Sequence, residues 1–133
     1  MSTVVSFSAR DLARGKEITP AWYRVKIESI GEAPAKASDK GPSTNYPVEG
    51  TIICNADNGD TALAGTPIDW NFNSKALGFT VGFLQAFGVE VKPDMRFDLQ
   101  AAVGKELDVF IENDLYQGRK VNRVNHKYRA AKR

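Results

Sequence analysis

Four stretches of this chain carry apolar residues at every second position, and only one carries them at helical spacing. A chain so patterned buries its side chains by pairing strands into a sheet. In residues 22–30, Tyr23, Val25 and Ile27 alternate with Trp22, Arg24, Lys26 and Glu28. Tyr46, Val48, Ile52 and Cys54 make the second run, with Gly50 at a point where a bend or a close backbone approach is expected. Ile68, Trp70 and Phe72 oppose Asp69, Asn71 and Asn73 in the third, and Leu107, Val109 and Ile111 oppose Asp108, Phe110 and Glu112 in the fourth. Gln117-Gly118 then supplies a turn, so residues 107–133 read as a hairpin. Val121 and Val124, three apart in its second strand, predict a bulge between them that re-aims the basic side chains.

The helical stripe is Leu77, Val81, Leu84 and Phe87, widened by Phe83, with Asn73-Ser74 available as caps and Gly88 as the stop. Gly78 and Gly82 are small residues suited to close packing against a strand. A short second helix over residues 99–103 is capped by Asp98 and stopped by Gly104. Residues 1–17 read as an arm, and Pro20 marks the entry to the first strand. Residues 31–44, GEAPAKASDKGPST, hold no large apolar side chain and read as a flap, because long irregular loops in compact domains are usually functional. NADNGD, residues 55–60, is a turn by composition. As a calcium loop it fails, since the twelfth position counted from Asp57 is Ile68 where a Glu is required.

At 133 residues the chain makes one domain, residues 1–133, with a core large enough to stand without staples. No apolar run approaches membrane length and no signal peptide is visible, so a cytoplasmic protein is expected. Cys54 is the single cysteine, which excludes an internal disulfide and a cysteine-based zinc site, and its apolar surroundings predict a buried core thiol. The single histidine, His126, has no nucleophile motif beside it and reads as solvated or phosphate-facing. With no phosphate loop, dinucleotide fingerprint or zincin helix, the chain is expected to be neither an enzyme nor a holder of metals or cofactors.

Charge is unevenly spread. Residues 119–133 hold seven Lys or Arg and no acid, whereas the preceding 118 residues hold 11 basic and 16 acidic side chains. That asymmetry points to a polyanionic partner. Arg119, Lys120, Arg123, Lys127 and Arg129, extended by the basic tail 129–133, are candidate phosphate contacts. Arg24 and Lys26 on the first strand and Lys36 and Lys40 on the flap join them. Trp22, Tyr46, Tyr116 and Tyr128 are candidate platforms for unstacked bases.

Three strands, a helix and two strands are the element order of an OB-fold, a mainly β, five-stranded barrel with a helix between strands 3 and 4. An α+β sandwich is the competing arrangement. The motifs Trp22-Tyr23-x-Val25-x-Ile27, Lys40-Gly41-x-Ser43-x-Asn45-Tyr46 and Gly65-x-x-Ile68-x-x-x-Phe72-Asn73-x-Lys75-Ala76 are followed by Phe83-Leu84-x-Ala86-x-Gly88-Val89. Phe97-Asp98-Leu99, Val103-Gly104-Lys105, Val109-x-Ile111 and Tyr116-x-Gly118-Arg119-x-x-Asn122-x-Val124 complete the set. Together, across residues 18–126, they resemble a family of small bacteriophage proteins regarded as OB-fold single-stranded DNA-binding proteins of phage replication and recombination. The resemblance implies non-catalytic binding of single-stranded DNA across the barrel face and hairpin, with Arg119 supported by both motif and charge. It leaves homo-oligomer formation open. Bacterial single-strand binding proteins end in an acidic recruiting tail, whereas this chain ends RAAKR, which would add to DNA affinity. The alternative is a virion or regulatory module whose basic strand meets an acidic protein.

Overall fold

The computed structural model describes residues 17–34, 42–74, 77–93, 95–116 and 118–131; the side chains of Phe79, Tyr116, Arg119 and Lys120 lie outside that description. It is mainly β. Strands β1 (Ala21–Ile30), β2 (Ala33–Pro34), β3 (Thr44–Asn55) and β4 (Pro67–Asn73) precede helix α1 (Gly78–Ala86). A 3-10 turn (Leu99–Ala102) and strands β5 (Glu106–Tyr116) and β6 (Arg119–Ala130) follow. All strand pairs are antiparallel. Among the described residues no helix is long and apolar enough to cross a membrane.

The two-residue β2 continues β1. Ile30 faces Val48, Ala33 faces Asn45 and Pro34 faces Thr44 in unbroken register, and the Gly31 N–H donates to the Pro47 carbonyl between them. The sheet therefore runs β4-β3-β1-β5-β6, with one edge of β3 paired to β2 and β1 between Thr44 and Asn55 and the other paired to β4 between Asn45 and Thr51. Gly50 lies within residues 48–51, where β3 is paired on both edges to β1 and β4. A Cβ there would lie 2.5 Å from Val25 Cγ1 and 3.2 Å from the Trp70 ring, so the expected close approach is real and only glycine fits it.

One face of the sheet is the core. Val25, Ile27, Val48, Ile52, Phe72, Leu107, Val109, Ile111 and Val124 are essentially inaccessible, and Phe83 of α1 packs across them. The edge strands β4 and β6 meet through side chains, Phe72 lying 5.8 Å from the His126 ring and 6.3 Å from Tyr128, with Phe83 within 5.5 Å of both Phe72 and Tyr128. No backbone ladder joins β4 to β6 among the described residues, so the sheet is not closed.

Several expectations are corrected. Ser74 does not cap α1; its hydroxyl accepts from the Thr44 N–H, and the N-cap position of α1 is Leu77, which offers no side-chain cap. Leu77 is consequently outside the core, 52% exposed. Gly82 does pack on a strand, a Cβ there reaching 3.6 Å from the Tyr128 ring, but a Cβ at Gly78 would meet no atom of the described residues within 4 Å. Asp98 caps the 3-10 turn as expected, accepting from the Gln100 N–H at 2.9 Å. The β6 bulge is real but displaced. Val121 and Val124 stay in register with Asp114 and Ile111, and the shift comes between Val124 and Tyr128, where two residues of β6 are in excess over β5. His126 sits there with φ +61, a conformation that side chains rarely adopt.

Candidate nucleic-acid interface

Alternation puts Trp22, Arg24 and Lys26 of β1 on the face opposite the core. Across the sheet, Arg24 is in register with Asp108 of β5, and Asp108 with Arg129 of β6. Asp108 is wholly buried, yet it lies between two guanidinium groups, with Arg24 Nε 3.3 Å from one oxygen and Arg129 Nε 3.4 Å from the other. A buried carboxylate is tolerable only when so paired.

Arg129 is held from a second side. The Ala56 N–H donates to the Trp22 carbonyl at 2.9 Å, which docks the turn 55–60 beside β1 and brings Asp57 to 2.6 Å from Arg129 Nη2. Asp57, followed by Asp108, pushes the Arg129 guanidinium pKa above its ordinary value. Thus restrained, the guanidinium stands 4.3 Å over the Trp22 ring, within cation–π range, and Phe110 meets the same indole edge-on at 5.6 Å. The remaining polar side chains of this turn fold back on it. Asn55 accepts from the Asp57 and Asn58 N–H groups, Asn58 from that of Asp60 and Asp60 from that of Ala62. Among the described residues no cluster fit for a metal ion occurs.

Lys26 and Lys127 are exposed nearby, Lys127 within the bulge. Arg123, 57% exposed, pairs with Asp114 at 2.9 Å, and that hydrogen bond is the main reason the Asp114 carboxyl is held below its ordinary pKa. The acids of β5 therefore answer the bases of β6, and the charge surplus of the second strand is partly neutralised within the hairpin. Sequence reading placed Asp108 on the open strand face and missed the roles of Asp57 and Asp108. Part of the signal was present, since a turn at Gln117-Gly118 puts the acidic strand opposite the basic one.

The candidate residues divide. Trp22, Arg24 and Arg129 converge, with Lys26 beside them. Tyr46 does not join them; it is half-buried on the other face, opposite Phe72 and against α1. Tyr128 is likewise corrected, because it packs on Phe83 and Phe72, and burial pushes its hydroxyl pKa far up. The Trp70 Nε1 is buried without a well-formed hydrogen bond, although it lies close enough to the Tyr128 hydroxyl to oppose that rise slightly. His126 is half-buried rather than freely solvated. Its Nδ1 lies 2.9 Å from the Tyr128 hydroxyl, and burial, with Arg123 as a lesser cause, lowers its pKa. Cys54 is half-buried rather than in the core, because the bulge at Arg24/Val25 turns it to the outer face as the register partner of Arg24. Tyr116 and Arg119 face one another across the turn, and Lys120 faces Leu115, but these three side chains lie outside the description. Lys36 and Lys40, like the arm 1–16 and the last two residues of the tail, lie outside the described residues. Compared with known proteins, the chain matches no family model and no curated sequence.

Proposed function

We propose that the protein is a non-catalytic single-stranded DNA-binding module of the OB type, acting in phage DNA replication or recombination in the host cytoplasm. The observation that carries the reading is the Trp22–Arg129 stack on the outer face, with Arg24 and Lys26 alongside. An aromatic ring, a guanidinium plane and neighbouring cations are the ingredients by which unstacked bases and their phosphates are held without sequence readout. The order of elements supports the fold: with β2 taken as the end of β1, α1 falls between the third and fourth strands, and the sheet edges meet around Phe72 and Phe83. The motif resemblance across residues 18–126 supports the phage assignment.

Three of the candidate arginines already hold carboxylates, which changes the expected salt dependence. Single-strand affinity falls by about 0.7 log units per log unit of salt for each phosphate neutralised, so Lys26 and Lys127 alone give a slope of about −1.4. A steeper slope counts the undescribed cations and the arginines that exchange carboxylate for phosphate. The test is fluorescence anisotropy of a labelled strand of ~30 nucleotides, a few times the site size of one such barrel, at two salt concentrations and in competition with the matching duplex. Salt-sensitive binding that resists duplex and weakens in Arg24→Ala supports the reading. No binding at low salt overturns it, and the acid–base matching within the β5–β6 hairpin then favours a protein-interaction module.

A further inference from the structure

The bulge in β6 links the outer platform to the buried seam between β4 and β6. Between Val124 and Tyr128, β6 holds three residues against one of β5, and His126 takes up the excess with φ +61. A side chain persists in that conformation only where its surroundings over-determine it. Without the bulge, the register set at Ile111 and Val124 would continue unbroken, with Lys127 opposite Asp108 and Arg129 opposite Glu106. Arg129 would then lie two residues, about 7 Å, from its place over Trp22. Both registers keep Lys127 and Arg129 outside and Tyr128 inside, so alternation does not choose between them.

The choice falls to His126. Its Nδ1 lies 2.9 Å from the Tyr128 hydroxyl, and the buried Trp70 Nε1 is close to the same hydroxyl. An indole nitrogen can only donate, so the hydroxyl oxygen serves Trp70 and the hydroxyl proton serves His126. Nδ1 must therefore accept, which requires the neutral imidazole. A proton on Nδ1 would set two donors against one hydroxyl and turn the hydroxyl's own proton away from its acceptor. Among the described residues, β4 presents Phe72 and Trp70 to this seam, α1 Phe83, and β5 Val109 and Ile111. The titratable and charged groups that face the ring from β6 are Tyr128 and Arg123, and Arg123 opposes protonation.

We propose that His126 is a positioning residue for the platform: its neutral imidazole, locked by Tyr128, holds the bulge that sets Arg129 over Trp22, and protonation releases it, so that binding weakens in acid. The proposal rests on the single-strand reading of the platform and names a regulation of that same site. Its sign is distinctive. Added positive charge alone would strengthen binding to a polyanion as pH falls.

The test has two arms, run from about pH 7 to about pH 5, where histidine titrates and ordinary carboxylates do not. In the free protein, the Arg129 Nε–H and Trp22 indole resonances should shift with the same midpoint as the His126 imidazole. In anisotropy with the labelled single strand at constant ionic strength, affinity should fall about fivefold or more over that range, the loss of one stacking contact. His126→Asn introduces a side chain that tolerates the left-handed conformation and does not titrate, so it should bind like wild type at pH 7 and lose the pH dependence. Tyr128→Phe keeps the ring and removes the hydroxyl that locks Nδ1, so it should move the imidazole, platform and binding midpoints upward together. Wild-type affinity that holds or rises in acid, a pH-dependent loss that survives in His126→Asn, or platform resonances that ignore the imidazole overturns the proposal. Absence of binding at pH 7 sinks the single-strand reading instead, and the resonances of the free protein then decide whether His126 positions Arg129.

Discussion

The inner and outer faces of β1, β5 and β6 are built from the same alternating residues and held by opposite means. Inside, Val25, Leu107, Val109 and Val124 need only to be apolar and of the right size, and any neighbour serves. Outside, Trp22, Arg24, Asp108 and Arg129 depend on particular partners, one of them on a turn in another part of the chain. The difference teaches that a strand's core side can be specified locally while its working side is specified by register.

The inner face breaks most severely. Phe83→Ala removes a fully buried ring that contacts Phe72, Phe87 and Tyr128, and should cost about 3–5 kcal/mol in urea unfolding. A loss below 1 kcal/mol would mean that α1 is not holding the two sheet edges together. Next comes Asp108→Ala, which leaves two guanidinium groups without their shared acceptor. Both arginines are partly exposed and can turn to water, so about 1–3 kcal/mol is expected rather than the full penalty of a buried charge. An unchanged midpoint would show that the pairing adds nothing to stability.

How much of each face was legible follows from this contrast. The periodicity of Tyr23, Val25 and Ile27 was enough to place β1, and Gly50 was recognised as a close approach because glycine tolerates what no other residue does. The platform was not legible. A simple hairpin about Gln117-Gly118 would set Asp108 opposite Lys127, but the two extra residues in the bulge at His126 slide Arg129 into that position. A bulge of that size leaves no alternation signature, since it restores the original parity. Tyr128 was misjudged for a related reason: its charged neighbours suggested solvent, whereas the restored parity turns it inward.

Trp22→Ala tests the outer face for function. It should weaken single-strand binding by about 1–3 kcal/mol, roughly 5- to 150-fold, and lower stability by about 1–2 kcal/mol through the lost contacts with Phe110 and Arg129, without unfolding the protein. Equal affinity in the variant would move the binding surface away from this platform. A smaller effect is expected from pH. Because His126 has a lowered pKa in the folded state, the unfolded chain takes up a proton near its ordinary pKa of about 6.5 while the folded chain remains neutral. Its contribution is present above that pH and lost as pH falls through it, so His126→Gln should flatten the stability profile between about pH 7 and 5. An unaltered profile would assign the dependence to other groups.

Asp57→Asn gives the smallest effect and the sharpest discrimination. Asp57 is 59% exposed, so its bond to Arg129 is a surface ion pair of about 0.2–1 kcal/mol and the variant should unfold almost as the wild type does. Two roles remain for it in binding. If it competes with phosphate for the guanidinium, removing its charge raises single-strand affinity by about 1.4- to 5-fold, matching the energy of the lost pair. If instead it positions the guanidinium over Trp22, affinity falls. We expect the rise, because Arg129 keeps Asp108 and the Trp22 ring face as restraints after Asp57 is neutralised. A fall would mean that the working face requires all of its long-range partners in place, with a carboxylate from the turn 55–60 as much a part of the platform as the arginine it holds.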